Sequence, residues 1–422
     1  MTSKNSVEND INKDVKSIEV VEGERSWIVC ISDLHLGADD TYSELTKNRD
    51  ALIDFLNWIR FSPNIKELVI AGDLIDEWFV PMHLDTFKGK TQMDFVKNVA
   101  LNNKPVIDAF NDIINDGHIR LTYVPGNHDI LITADEIEAI LPGINQARDV
   151  RGLGAYSPDY LPELVIEHGH RYNFFCAPDH SNRTVTQSNS ILPTGYFFTR
   201  MATSSVVQGR PKIDMNIPVI TENELGEEQH LYYLYYKAWE KLINVFPVNE
   251  GINEPAIHTG IDGFTNSYAI KDVLPYQDPE NNYIDVNLYK GIVESWEERQ
   301  AKNLVPILIP TEEAILKAAL SSHLDDQSAN QFFINPDSNK RIVIFGHTHD
   351  ARLITSYNEN MDANVYVNSG TWIDSKDLSM TFVVVIPPKD DESNNGYVGL
   401  YQYADEGKIS KLDSQIINNL KN

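Results

Sequence analysis

The sequence predicts an α/β fold in which several strands deliver polar residues to one place. Two observations predict it. Short apolar runs each end in Asp, Asn or His, and helical patterns lie between the first three of those runs. In α/β sheets ligands gather at the carboxyl ends of the strands, so five such ends can converge on a single site.

The runs follow in order. Residues 26–31 are apolar and close on Ser32 and Asp33; residues 67–71 close on Gly72 and Asp73. Residues 119–124 lead into Pro125-Gly126-Asn127-His128, and residues 164–166 into Glu167-His168. Residues 341–345 lead into Gly346-His347. Helical spacing of apolar residues covers 52–59 and 95–114. Residues 365–367 and 381–386 read as closing strands, and a last strand is expected near 397–403. The segment 177–340 breaks the pattern: it is rich in Asn, Pro and Tyr, with one clear amphipathic helix over 231–246. It reads as an insertion or cap region, or else as an irregular elaboration without a hydrophobic centre. The expected organisation is a polar arm over 1–24, a core in two parts (25–176 and 341–405) around the insertion, and a C-terminal tail over 406–422.

Composition bounds the function. A chain of 422 residues accommodates one large elaborated domain or two, and buries a sizeable core without disulfides. Its two cysteines, Cys30 and Cys176, sit in apolar contexts and read as buried apolar side chains. The formal net charge is -27, with 35 Lys and Arg against 62 Asp and Glu. Such a surface repels nucleic acids and anionic membranes, which argues against a polynucleotide partner. A small anionic substrate remains compatible, because bound divalent cations dominate the field inside a pocket. No apolar run suits a signal peptide or a membrane span, so a cytoplasmic location is expected.

The chemistry lies in five short motifs. In Asp33-Leu34-His35, residues two apart on an extended segment point the same way, setting a carboxylate beside an imidazole. Gly72-Asp73-Leu74-Ile75-Asp76 puts a carboxylate that can bridge two cations at a strand end, with Asp76 able to orient a ligand from behind. Gly126-Asn127-His128-Asp129 offers a neutral amide oxygen, a proton donor in His128 and an orienting carboxylate in Asp129. Glu167-His168-Gly169-His170 and Gly346-His347-Thr348-His349 add two H-x-H pairs. Taken singly, each motif also suits a helix cap, a turn or a surface pair. Six of the 12 histidines falling at strand ends is what favours a shared site. The donor set is mixed N and O without thiolate, which suits Mn, Fe, Zn or Mg rather than a structural zinc cage.

In this order the motifs resemble those of the calcineurin-like metallophosphoesterase superfamily, over residues 28–175 and 342–372. Val367-Asn368-Ser369-Gly370-Thr371 resembles the turn that often follows its last motif. The resemblance implies a four-layer α/β/β/α sandwich with a large insertion covering the site. It implies two divalent metal ions, with Mn favoured: Asp33, His35 and His349 at one, Asn127, His168 and His347 at the other, and Asp73 bridging. It makes His128 the general acid, with Asp129 as its partner, and leaves His170 a supporting or structural histidine. The implied reaction is hydrolysis of a phosphodiester or phosphomonoester of a small substrate by a metal-activated hydroxide. The wording of the first two motifs is nearest the branch of UDP-2,3-diacylglucosamine pyrophosphatases, which usually carry Arg where this chain has His128 and have a far shorter insertion. A sugar-nucleotide or lipid pyrophosphatase is therefore the alternative, with an apolar groove from 196–198 and 232–239; a non-catalytic scaffold of the same fold is the second. Arg200 and Arg210 are candidates to reach a phosphate.

Overall fold

The computed structural model describes residues 25–149, 153–181, 190–388, 395–404 and 407–420. The expected arm over 1–24 lies outside them. Strands run in chain order as β1 (Trp27–Ile31), β2 (Ile65–Ala71), β3 (Arg120–Val124), β4 (Asn145–Gln146), β5 (Leu164–Ile166), β6 (Ile257–His258), β7 (Ser267–Tyr268), β8 (Pro275–Gln277), β9 (Ile284–Val286), β10 (Ile342–Phe345), β11 (Arg352–Tyr357), β12 (Ala363–Asn368), β13 (Thr381–Ile386), β14 (Gly396–Ala404) and β15 (Lys408–Ile417). The longer helices are α1 (Arg49–Phe61), α2 (Gln92–Asn102), α3 (Lys104–Asp116), α4 (Ala134–Ile140), α5 (Gly195–Val207) and α6 (Glu227–Val245).

The described residues form two compact units: 25–76, 96–169 and 324–420 in the first, 77–95 and 170–323 in the second. The first contains a seven-stranded sheet in the order β15-β14-β13-β1-β2-β3-β4 and a four-stranded sheet in the order β11-β12-β10-β5. β1 to β4 are parallel, as are β5, β10 and β12. Alternation along the strands explains how the sheets meet. Ile28 and Cys30, Val69 and Ala71, Val383 and Val385 from one sheet join Ile342 and Ile344, Val365 and Val367 from the other in one buried cluster. Each such side chain contributes roughly 1.5–3 kcal/mol on full burial. The opposite face of the large sheet takes α1, whose Phe55 lies 5.0 Å from both Trp372 and Phe382. On the small sheet, Phe332 from the helical turn Ala329–Phe333 packs 6.1 Å from Phe345. The architecture is thus mixed α/β, with two sheets face to face between helical layers.

Three expectations need correction. The helix expected over 95–114 is two helices, α2 and α3, broken at Asn103. Pro105 lacks an N–H and suits only a first helical turn, while the Asn103 side chain donates to the carbonyls of Gly37 and Val99 at 2.9 Å each. The expected tail over 406–422 contains β15, antiparallel to β14 from Ala404↔Lys408 to Gly396↔Ile417. Finally, residues 324–340 group with the first unit rather than with the insertion, and residues 77–95 with the second.

The second unit has a hydrophobic centre of its own. Tyr196, Phe197, Tyr235, Trp239 and Trp296 are buried, with Phe175 stacked on Tyr235 at 5.6 Å and Phe197 edge-on to Phe264 at 5.3 Å. That excludes the reading of this segment as an elaboration without a core. It also assigns the aromatics of 196–198 and 232–239 largely to packing rather than to a groove.

Candidate metal centre

Five loops at the carboxyl ends of β1, β2, β3, β5 and β10 build one cluster in the first unit. The backbone there is unusual. Asp33 (φ 55), His35 (φ 48), Asp73 (φ 53), His347 (φ 71) and His349 (φ 59) all adopt the left-handed conformation without being glycine. Each such residue costs on the order of 1 kcal/mol, and strain of this kind collects at functional sites. Neighbouring loops hold it in place: the amides of Leu34 and His35 donate to the Asp73 carbonyl at 3.0 and 2.9 Å, and the amide of Asp33 to Gly72 at 3.1 Å. The loops also press on each other's side chains. A Cβ on Gly126 would collide with the Asp73 carboxylate, and one on Gly346 with the Asp33 carboxylate, so both positions require glycine by close approach.

Three groups of side chains converge: Asp33, His35 and His349; His35, Asp76 and His128; Asp33, Asp73 and His168. In each, the ligand-capable atoms lie within 4.8 Å of one another. Backbone amides hold the carboxylates, His347 N donating to Asp33 at 3.1 Å and His128 N to Asp73 Oδ1 at 2.9 Å. Asp73 Oδ2 is then left 3.1 Å from His168 Nε2 and 3.7 Å from His35 Nε2. His168 Nδ1 lies 2.8 Å from the Ala71 carbonyl and Nε2 3.1 Å from Asn127 Oδ1. A carbonyl only accepts, so Nδ1 keeps a proton and Nε2 is the nitrogen that can give up its proton to a cation. The same holds for His35, whose Nδ1 lies 2.7 Å from Asp76 Oδ2 while Nε2 faces His349 Nε2 at 3.0 Å. Two imidazole nitrogens at that distance need a proton or a cation between them. His349 Nε2 is also 3.1 Å from Asp33 Oδ1, and the His347 ring sits 5.2 Å from that of His168.

The electrostatics follow from this crowding. Burial pulls His168 down, but Asp73 and Asp33 outweigh it and push it up to about 9. Burial likewise opposes protonation of His35, but hydrogen bonding of its ring to Asp33 and Asp76 outweighs it and raises the pKa well above its ordinary value. His347, buried and beside His168, falls to about 3. Burial would raise Asp73 and Asp76, yet the histidines around them hold both below the usual carboxylate range. Buried carboxylates and inward-facing imidazole nitrogens, with N and O ligand atoms only, fit divalent cations that displace the ring protons.

The structure brings together Asp33, His35, Asp73, Asn127, His128, His168, His347 and His349. It corrects the partner of His128: the ring Nδ1 lies 2.7 Å from Asp76 Oδ1. Asp129 instead accepts from the amides of Gly126 at 2.6 Å and Leu74 at 2.8 Å, tying the second and third motifs together. His170 is buried in the helical turn His170–Tyr172 of the second unit. Arg200 is also buried there, donating to the carbonyls of Val80 (2.6 Å), Pro81 (3.0 Å), His258 (2.9 Å) and Leu84. It is therefore committed to the fold rather than to a phosphate. Arg210 lies over the Phe246 ring at 5.8 Å. Sequence reasoning missed Glu44, whose Oε2 lies 3.6 Å from His35 Nδ1; it belongs to no motif, and nothing in its surroundings marks it.

Residues 26–205 match the family model described as calcineurin-like phosphoesterase, which supports assignment to the metallophosphoesterase superfamily and, in general terms, a metal-dependent phosphoesterase. No curated protein matches the chain. Among the described residues no helix is long and apolar enough to cross a membrane.

Proposed function

We propose that the chain is a dinuclear metal-dependent phosphoesterase that hydrolyses a small phosphodiester or phosphomonoester. The observation that carries this reading is Asp73 Oδ2, which lies between His168 Nε2 and His35 Nε2 at 3.1 and 3.7 Å and so serves both halves of the donor set. Asp33, His35 and His349 would hold one cation, Asn127, His168 and His347 the other, with Asp73 shared. When bound, such cations lower the pKa of water and neutralise a phosphoryl group.

The side chains have distinct tasks. Ala71 and Asp76 fix the protons of His168 and His35 on Nδ1 and so aim Nε2 inward. Asp76 also holds Nδ1 of His128, leaving its Nε2 to carry the proton that the leaving oxygen needs. Burial opposes protonation of His128, but Asp76 and Asp73 outweigh it and leave its pKa above the ordinary value, which suits an acid charged at neutral pH.

The test is hydrolysis of bis-p-nitrophenyl phosphate and p-nitrophenyl phosphate by metal-stripped protein refilled with Mn, with the bound metal counted. Two Mn per chain with turnover is expected, and Asp73→Asn should drop it to background. The preferred compound separates diester from monoester chemistry. A chain that takes up no Mn would overturn the proposal.

A further inference from the structure

Glu44 lies outside all five motifs, yet its carboxylate reaches the cluster. Its Oε2 is 3.6 Å from His35 Nδ1, the nitrogen that Asp76 Oδ2 already approaches at 2.7 Å. Asp76 serves two rings, because its Oδ1 is 2.7 Å from His128 Nδ1, and the two rings are 4.6 Å apart, edge to face. One carboxylate is thus divided between a cation-holding histidine and a proton donor. Any shift of Asp76 toward His128 withdraws it from His35.

The loop that carries Glu44 is pinned by a residue far away in sequence. Asp374 accepts from the amides of Thr46 (2.9 Å), Lys47 (2.9 Å) and Asn48 (3.0 Å) and from Thr46 Oγ1 (2.7 Å). Its own amide donates to the Glu44 carbonyl at 2.8 Å. Asn48 Nδ2 returns to the carbonyls of Trp372 and Ile373 at 3.1 and 3.2 Å. The same segment grips the first motif, since Trp372 N and Thr371 Oγ1 donate to the Asp33 carbonyl at 3.2 and 2.8 Å. The backbone of Glu44 is therefore tied to the Asp33 carbonyl through residues 371–374.

We infer that Glu44, held by Asp374, is a positioning residue that shares with Asp76 the orientation of His35 toward a cation at Asp33, His35 and His349. This rests on the metal reading proposed above. At 3.6 Å Glu44 is beyond hydrogen-bond reach of His35 Nδ1, but its charge favours the ring orientation that turns Nδ1 toward the two carboxylates, so Nε2 stays aimed inward while Asp76 attends to His128. Its negative charge also adds to the field at the cation.

The test is titration of the metal-stripped full chain with Mn alone, by calorimetry and equilibrium dialysis, for wild type, Glu44→Gln, Asp76→Asn, the double variant, Glu44→Asp and Asp374→Asn. Thermal unfolding of each metal-free protein is recorded alongside. Glu44→Gln should weaken one of two Mn sites about 10-fold, the scale of losses for groups that orient ligands, with metal-free unfolding unchanged. The double variant should lose more than the two single losses combined, because each carboxylate covers for the other. Glu44→Asp should recover part of the affinity, and Asp374→Asn should show a weaker form of the Glu44→Gln effect. Wild-type affinity in Glu44→Gln, independent losses in the double variant, or a loss that only follows a fall in metal-free stability would each overturn the inference. Failure of the wild-type chain to take up Mn would instead remove the metal reading beneath it.

Discussion

Buried charge is handled in opposite ways in the two units. In the second, buried Arg299 and Arg200 are directed at backbone carbonyls. Arg299 donates to the carbonyls of Phe174 (3.0 Å) and Ala177 (2.9 Å), pairs with Asp179 at 3.2 Å and lies 5.0 Å from the Trp296 ring. Arg200 is saturated in the same manner by backbone carbonyls. In the first unit, buried Asp33, Asp73 and Asp76 crowd together, and imidazole nitrogens of His35 and His349 face each other at 3.0 Å. Saturated charge holds a fold together. Carboxylates and imidazoles gathered on a strained backbone are prepared for something that arrives later. Burial alone therefore does not mark a site; what marks it is an imbalance between donors and acceptors.

The comparison predicts which property each region controls. The largest effect is expected for His128→Ala, which should cut turnover about 10²–10⁴-fold while leaving Mn stoichiometry unchanged. The cut should be smaller for p-nitrophenyl esters, whose leaving group needs little protonation, than for alkyl esters, and steady-state rates on both will read it. Arg299→Met should act in the other sense. It strands Asp179 in the core and lowers stability by about 3–5 kcal/mol, seen in denaturant unfolding, with Mn affinity retained. If it instead reduced Mn affinity while stability held, the division drawn here would fall.

The smallest effect is on pH dependence. The folded pKa of His168 is raised from 6.5 to about 9. A raised value contributes stability that is fully present below pH 6.5 and is lost as pH rises through 9. The melting temperature of the metal-free protein should therefore fall across that window. With Mn in excess the slope should reverse, because the cation must displace this proton and binds better as it leaves. Melting curves with and without Mn at pH 6.5 and 9 will show whether the two slopes have opposite signs.

How much of this was legible in the sequence depends on where each signal resides. β1, β2, β3 and β10 are buried on both faces and read as apolar runs, so their polar ends stood out. β11 and β15 are half exposed at the sheet edges, and neither RLITSY nor KISKLDSQII carries a clean alternation. The break at Asn103 had a visible cause in Pro105, outweighed by the long helical spacing around it. Eight of the nine proposed site residues come together because strand ends supply them. The partner of His128 was misassigned because residues adjacent in sequence point apart, and the carboxylate that reaches its ring, Asp76, comes from another motif 52 positions away. Glu44 and Arg200 were beyond reach, since only tertiary contacts distinguish them from other surface-type residues.

β1 lies between β2 and β13, paired through Ile28↔Val385, and His35 meets His349 across 314 positions of chain. At a synthesis rate of roughly 5–20 residues per second, a ribosome needs on the order of 15–60 s to supply the second histidine after the first. During that interval one side of the first strand is an open template, lined by the apolar run WIVCI. The nascent chain thus lacks part of the cluster and is most exposed to mispairing until residues 349–386 emerge, and its yield in a cell should depend on what shields that edge in the meantime.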